Sequence, residues 1–403
     1  MKNNLLILDH KCLIKQIKLK LILLLSLVTI SLYSQNPIIT KWYPNGLSIK
    51  IPTIGSFNYT YEYSSDPTIN GSGTGVSGVN TITLPKSQGL YIVKIYPISS
   101  FKFNFGNPTI TYEEKQKLFE ISQWGNVNWY SDLSMMFSGC NQMKITATDI
   151  PNFSNVSSFY FTFSGCLNIS TIPNINAWDT SNVTDMAFMF NACHLFNSDI
   201  SNWNTSKVIK MNSMFMNANA FNQNISSWNV SNVSDFSAMF WEAYSFNQNL
   251  GSWKLKVGPY SMLYKSGLSC DNYAKTLKGW FENSTTPSNT QLTANDLIYG
   301  NFGQEYRNLL INQKNWTISG DFYDSNCNET LSISEINKSI NIYPNPSNGI
   351  FYLDTEKDMT INIYNVSGTL LKTIDAKRGS NKINISNYPK GVYFINNKKI
   401  ILE

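Results

Sequence analysis

From Asp179 to Ser206 the chain reads DTSNVTDMAFMFNACHLFNSDISNWNTS, and from Asn204 to Ser231 it reads NTSKVIKMNSMFMNANAFNQNISSWNVS. The second stretch is the first moved on by one period, from Asp179 to Asn204. Working outward from them, an aromatic anchor recurs at Phe137, Phe163, Phe190, Phe215, Phe240 and Tyr264, with steps of 26, 27, 25, 25 and 24. Seven places before the anchors stand Tyr130, Val156, Val183, Val208, Val233 and Val257; four before stand Leu133, Phe159, Met186, Met211, Phe236 and Tyr260. Three places after, the column is small throughout: Cys140, Cys166, Cys193, Ala218, Ala243 and Gly267. Six after, Met143, Ile169, Phe196, Phe221 and Phe246 are apolar and Cys270 closes the column, while tryptophan recurs at 178, 203, 228 and 253. Repetition at a fixed period of this length predicts a solenoid, because one unit cannot bury its own apolar face.

The small column follows from packing. Where neighbouring coils approach closely only Cys, Ala or Gly fits, and the aromatic and Met columns fill the wider part. Within a good copy, Val183 to Ala192 reads as a short helix or helical turn. Phe196 to Ile200, Phe221 to Ile225 and Phe246 to Leu250 read as short parallel strands. The recurring Ser181, Ser206 and Ser231 suit return turns, where hydroxyls satisfy backbone groups.

The anchor–small–apolar spacing in MFSGCNQM, TFSGCLNI and MFNACHLF resembles the BspA-like leucine-rich repeats of bacterial surface proteins. Over residues 130–257 the copies are similar to that family's Met/Phe/Trp-rich subtype. The first two copies lack the tryptophan and the FNQ segment. The fold this implies is mixed α/β: a leucine-rich-repeat-like solenoid with short parallel strands and helical turns over 130–267. An N-terminal β-sandwich and a small C-terminal all-β domain flank it.

Residues 36–109 carry the sandwich expectation, through runs such as GLSIKIPTI and GLYIVKIYPI between turn-rich segments. Their order resembles a PKD-like module without its acidic Trp-Gly-Asp turn; they read as a second binding module or as a cap and spacer. Residues 110–129 predict a short helix and strand sealing the first coil, and residues 268–327 a helical C-terminal cap. A polar linker covers 328–340. At the other end, Lys15, Lys18 and Lys20 precede the apolar run from Leu21 to Leu32. That pattern predicts a secretory signal peptide over residues 1–35, the run being too short to span a bilayer.

The tail is similar to the C-terminal sorting domain of the Bacteroidetes type IX secretion system over residues 341–403. The carriers are YPNPSNG (Tyr343, Pro344, Asn345, Pro346 and Gly349), NVSGTLL with Gly368, and PKGVYF with Gly391 and Tyr393. Its ending departs, since few residues separate Phe394 from Lys398-Lys399, which predicts a shortened last hairpin. The resemblance implies export to the cell surface and the type IX machinery as a partner.

Charge and chemistry narrow the function. The net charge of +5 falls to near neutrality once residues 1–35 are set aside, leaving 26 basic and 25 acidic residues. That balance gives no electrostatic footprint for nucleic acid. Beyond residue 35 there is one histidine, His194. Histidine-based metal clusters and Ser-His-Asp triads are therefore excluded by count. No phosphate-cradling loop or calcium-binding turn repeat is present, and no cofactor is expected. Cys140, Cys166 and Cys193 read as buried thiols, in-register disulfides being the other possibility. In an exported chain Cys270 and Cys327 are the natural disulfide pair. What remains is surface. Asn197, Asn222 and Asn247 form one column and Asp199, Asn224 and Asn249 another. They are either a face for a protein or glycan ligand or a rigidifying asparagine ladder. The expected function is non-enzymatic adhesion or binding. The alternative is a carbohydrate-active enzyme using carboxylates such as Asp179, Asp185 and Asp199.

Overall fold

The computed structural model describes residues 36–327 and 340–403, apart from 356–357, 367–368 and 396–397. The expected signal peptide, nearly all of the expected linker and Gly368 therefore lie outside the described residues. The chain forms two compact units, Met1–Asn328 and Glu329–Glu403.

Alternation of apolar and polar residues produces the N-terminal strands. They are β1 (Ile38–Trp42), β2 (Ser48–Ile54), β3 (Phe57–Tyr63), β4 (Asp66–Val76), β5 (Val79–Thr83), β6 (Tyr91–Pro97) and β7 (Lys102–Phe103). Thr111 caps the short helix α1 (Tyr112–Gln116), which leads into β8 (Leu118–Gln123); β9 (Lys144–Ile145) follows within the first repeat. Six strands make one sheet in the order β4-β3-β6-β1-β8-β9, and β5-β2-β7 make another. All pairings are antiparallel except β8 with β9. Glu120 on β8 ties the join, accepting from Lys41 Nζ (2.8 Å) and Thr146 Oγ1 (2.6 Å), with Lys144 Nζ at 3.5 Å. The sheet thus runs on into the repeats, and one buried core continues from Ile38 to Ile318. A flanking sandwich with its own core is not what this segment forms.

The mixed α/β, leucine-rich-repeat-like solenoid is also corrected. Among the described residues from 130 to 267 there is no α-helix, and β9 is the one strand; the regular structure is mainly small antiparallel sheets outside the repeats. In place of strands and helical turns each repeat runs as a chain of tight turns. N–H groups of Met186, Phe188, Phe190 and Ala192 donate to the carbonyls of Lys210, Asn212, Met214 and Met216 in the next repeat (2.7–3.0 Å). Those of Met189, Asn191 and Cys193 close local turns onto Met186, Phe188 and Phe190. Phe188 and Ala192 have left-handed backbone, and Phe161, Ser213, Ala238 and Glu242 repeat it. That conformation turns successive amides alternately along the chain and across to the next repeat. The helix expectation failed for a definite reason. Met186, Met189, Phe190 and Cys193 are buried at helical spacing, but alternate amides, those of Phe188, Phe190 and Ala192, point across repeats instead of back along the chain.

Packing between repeats is by ring stacking. Phe163, Phe190, Phe215 and Phe240 lie 5.6–5.9 Å apart with planes within 9°. Trp203 and Trp228 stack at 6.2 Å, and the indole N–H of each reaches back one repeat, Trp203 to Ile175 O and Trp228 to Ile200 O. In the last repeat the cross-repeat bonds Phe240 to Met262 and Glu242 to Tyr264 place Leu263, fully buried, in the anchor column. Tyr264, read from sequence as the anchor, stands one place outside. Cys140, Cys166 and Cys193 are buried free thiols; the Cys166 and Cys193 thiols donate to Phe137 O and Phe163 O. Burial pushes the Cys193 thiol up to about 12.

Helix α2 (Cys270–Glu282), capped by Ser269, closes the far end together with α3 (Asn301–Lys314). Its residues stand in for another repeat: Trp280 Nε1 donates to Leu250 O (3.0 Å) as Trp203, Trp228 and Trp253 do to the repeats before them. Cys270 and Cys327 are joined in a disulfide with Cα atoms 6.1 Å apart. The fully buried Asp321 side chain accepts two bonds from Arg307 (2.8 and 2.9 Å) and one from the Tyr273 hydroxyl (2.9 Å). Its charge is therefore paired, as a buried carboxylate requires.

The C-terminal unit holds two sheets, one of Ile340–Tyr343, Ile350–Thr355 and Gly379–Asn384, the other of Met359–Asn365, Leu370–Ala376, Gly391–Ile395 and Lys398–Leu402. The last two strands pair antiparallel from Gly391–Leu402 to Ile395–Lys398, so the final hairpin forms despite its short ending.

Candidate binding surface of the repeats

The asparagine columns are engaged with one another. Asn222 N–H donates to Asn197 Oδ1 (2.9 Å) and Asn247 N–H to Asn222 Oδ1 (2.9 Å). Gln223 and Gln248 donate to the same two oxygens at 2.8 and 2.7 Å. Asn272 on α2 continues the row, donating to Asn247 Oδ1 at 2.9 Å. Side-chain oxygens thus take the place that strand carbonyls would hold, which explains why Phe221 to Ile225 forms no strand. In the neighbouring column Asp199, Asn224 and Asn249 each accept from the backbone N–H two residues on, at Ser201, Ser226 and Gly251 (2.8–3.0 Å). All six positions lie on the same stretch of surface, with their acceptor oxygens used within the repeats.

The three aspartates of the catalytic alternative are held the same way. Asp179 Oδ1 accepts from Ser181 N–H (3.0 Å), and hydrogen bonding from Ser181 holds its carboxyl below the usual carboxylate range. Asp185 Oδ1 accepts from Ala187 N–H (3.0 Å), while Asp185 Oδ2 lies 3.5 Å from Lys210 Nζ. Asp199 Oδ2 also accepts from Asn176 Nδ2 (2.8 Å). His194 is exposed and its carbonyl accepts from Ala220 N–H (3.0 Å).

A second face was not picked out from sequence. The turn chain buries every residue that points to the core and leaves the intervening positions outward. Two of its outward columns carry aromatics. Phe161 and Phe188 stack at 4.3 Å with Tyr160 edge-on to both, and Trp241 and Tyr264 stack at 3.8 Å. Between these pairs the half-buried outward positions carry Asn212, Met216, Asn217, Ser237 and Ala238, while Ser213 is buried. The signal was available as the residues two before and one after each anchor, but an irregular column attracts no attention beside a regular one.

In the C-terminal unit Tyr343 donates to Asp354 Oδ1 (3.1 Å). Asn345 clamps the last strand, donating to Lys399 O (2.7 Å) and accepting from Ile401 N–H (2.9 Å). Gly349 has a positive φ, and a Cβ there would lie 2.5 Å from Ser386 Cα, so only glycine fits. Tyr393 donates to Pro389 O, Gly391 opens the strand paired to the last one, and Pro344 and Pro346 flank Asn345.

Among the described residues no group of three or more His, Cys, Asp or Glu is placed to hold a metal ion, and no helix is long and apolar enough to cross a membrane. Residues 157–280 match the family described as Mycoplasma protein of unknown function, DUF285, a repeat family related to BspA. Residues 341–400 match the secretion system C-terminal sorting domain. No curated protein and no solved structure matches the chain. The sorting domain marks the chain for export by the type IX system to the cell surface or beyond, which entails contact with that machinery.

Proposed function

We propose that this exported chain is a non-catalytic binding protein that presents its stacked repeats to a protein or glycan outside the cell. The observation that carries the reading is the fate of the carboxylates. Asp179, Asp185 and Asp199 each accept a backbone N–H two residues on, and none is left with another carboxylate as its partner. A glycosidase needs two carboxyl groups facing one bond, one of them with a raised pKa; at Asp179 the shift runs the other way. The spacing that resembles BspA-like surface repeats supports the same role, adhesion, and the sorting tail delivers the repeats to where ligands are. The test is direct: the mature chain is applied to glycan and extracellular-protein arrays and incubated with a polysaccharide panel. Retention on an array without release of reducing ends is expected. Turnover abolished by replacing the three aspartates would overturn the reading.

A further inference from the structure

We propose that the outer face of the N-terminal sheet, where β4, β3 and β6 lie side by side, binds a free α-amino acid. This site lies apart from the repeats and stands whether or not they hold a ligand. It would make a binding module of the segment that the sequence left open between such a module and a spacer.

Strand register assembles the site. Thr60 on β3 stands opposite Ser72 on β4 and Lys94 on β6, and Glu62, two places on, stands opposite Asn70 and Ile92. Residues two apart on a strand share a face, so these six make two neighbouring rows on one side of the sheet. All six line one cavity of about 320 Å³. Ligand sites run from about 300 to 1,000 Å³, so this one takes a small molecule.

The two rows differ in chemistry. Ser72, Thr60 and Lys94 bring two hydroxyls and an ammonium, donors suited to a carboxylate. Asn70 and Glu62 bring an amide oxygen and a carboxylate, acceptors suited to an ammonium, with Ile92 beside them for apolar contact. These groups are also free. Among the described residues the Thr60 and Ser72 hydroxyls, the Glu62 carboxylate and the Lys94 ammonium make no hydrogen bond. Asn70 donates through Nδ2 to Pro67 O (3.0 Å), which leaves its Oδ1 as an acceptor. In the asparagine columns, by contrast, the acceptor oxygens are consumed within the repeats. Glu62 Oε1 and Lys94 Nζ lie 3.7 Å apart, each side chain about a third exposed. A pair this open contributes little, so a ligand can part it, its carboxylate taking Lys94 and its ammonium Glu62. Lys41, which follows Ile92 in the Glu62 row, is committed to Glu120 at 2.8 Å. The cavity is therefore lined by one acid and one base. A free α-amino acid carries both of its charges on one carbon, whereas a peptide carries its terminal charges at opposite ends.

The experiment is a thermal-shift screen of the full mature chain against the twenty free amino acids. Calorimetric titration follows with the amino acid giving the largest shift, and with its N-acetyl, carboxamide and glycyl-dipeptide derivatives. Glu62→Gln and Lys94→Gln are titrated alongside the parent, and melting without ligand checks that each folds. The expected result is binding of at least one free amino acid, weakened tenfold or more in both variants. The same loss is expected for each derivative, since each removes one charge or separates the two. Absence of a shift with every amino acid would overturn the assignment. Binding that survives both substitutions would overturn the site. Equal binding of the N-acetyl and carboxamide derivatives, or tighter binding of the dipeptide, would overturn the ligand class. The derivatives are tested on the parent, so the class is decided even where a variant fails to fold. In that case Ser72→Ala, on the edge strand, replaces it and is expected to weaken binding several-fold; unchanged binding there would overturn the site.

Discussion

Asn222 shows how one side chain carries order between repeats. Its Oδ1 receives two donors from the next repeat, Asn247 N–H and Gln248 Nε2, at 2.9 and 2.7 Å. Asn222→Ala strands both and is expected to cost about 1–2 kcal/mol in chemical denaturation. Asn222→Asp keeps the acceptor and should recover most of that loss. Glu120 makes the complementary case for charge. Burial alone would raise its pKa, but the bonds from Lys41 and Thr146 and the nearby Lys144 outweigh that and hold it below the ordinary carboxylate value. A carboxyl whose folded pKa is depressed stabilises the fold above the unfolded value, about 4.3, and loses that contribution as pH falls through the folded one. Wild-type melting should therefore exceed that of Glu120→Gln near pH 7, and the two curves should converge as pH is lowered to 3.

At the scale of elements, the C-terminal helix α2 substitutes for a repeat. Asn272 joins the asparagine row and Trp280 the tryptophan row, so the open end of the stack is closed by groups in the register it already uses. The cap in turn is pinned by Cys270–Cys327, at a sequence separation of 57. In the chain-entropy account a crosslink of that span contributes roughly 4 kcal/mol. Reduction should lower the denaturation midpoint accordingly, and alkylation of freshly secreted protein without reductant should label neither cysteine. Labelling of both would show that the bond is absent.

Across the whole molecule, the repeats and the sorting domain belong to separate units. The C-terminal unit has its own core, including Phe351, Ile361, Ile363 and Ile395, apart from the core that runs through the repeats. Removal of residues 341–403 should therefore leave the first unit folded and competent to bind, but retained in the periplasm. Cell fractionation and surface proteolysis check this. Normal amounts of truncated protein at the surface would show that another signal suffices, and loss of binding by folded truncated protein would assign the tail to the binding site.

Repeat period, column composition, the sorting tail and the cysteine pair on the cap were all legible in the chain, because each is a pattern of residue types at fixed spacing. The core columns followed directly: an aromatic beside a small residue can be packed in few ways, and Phe190, Phe215 and Phe240 are buried as their spacing implied. Backbone conformation was not legible. Buried residues at 186, 189, 190 and 193 satisfy a helix and a turn chain equally, and the choice rests on whether Phe188 N–H finds its acceptor four residues back or in the next repeat. That acceptor, Asn212 O, is distant in sequence and is present only once the repeats have stacked. The same holds for the two surfaces. Asn222 read equally as part of a ligand face or as a rung of a ladder until the neighbouring repeat supplied its donors, and Trp241 and Tyr264 became a pair only when a one-residue shift in the last repeat set them face to face. Local spacing determines what is buried; the partner of each polar group and each exposed ring is decided by the tertiary stack, because those partners lie a full repeat away.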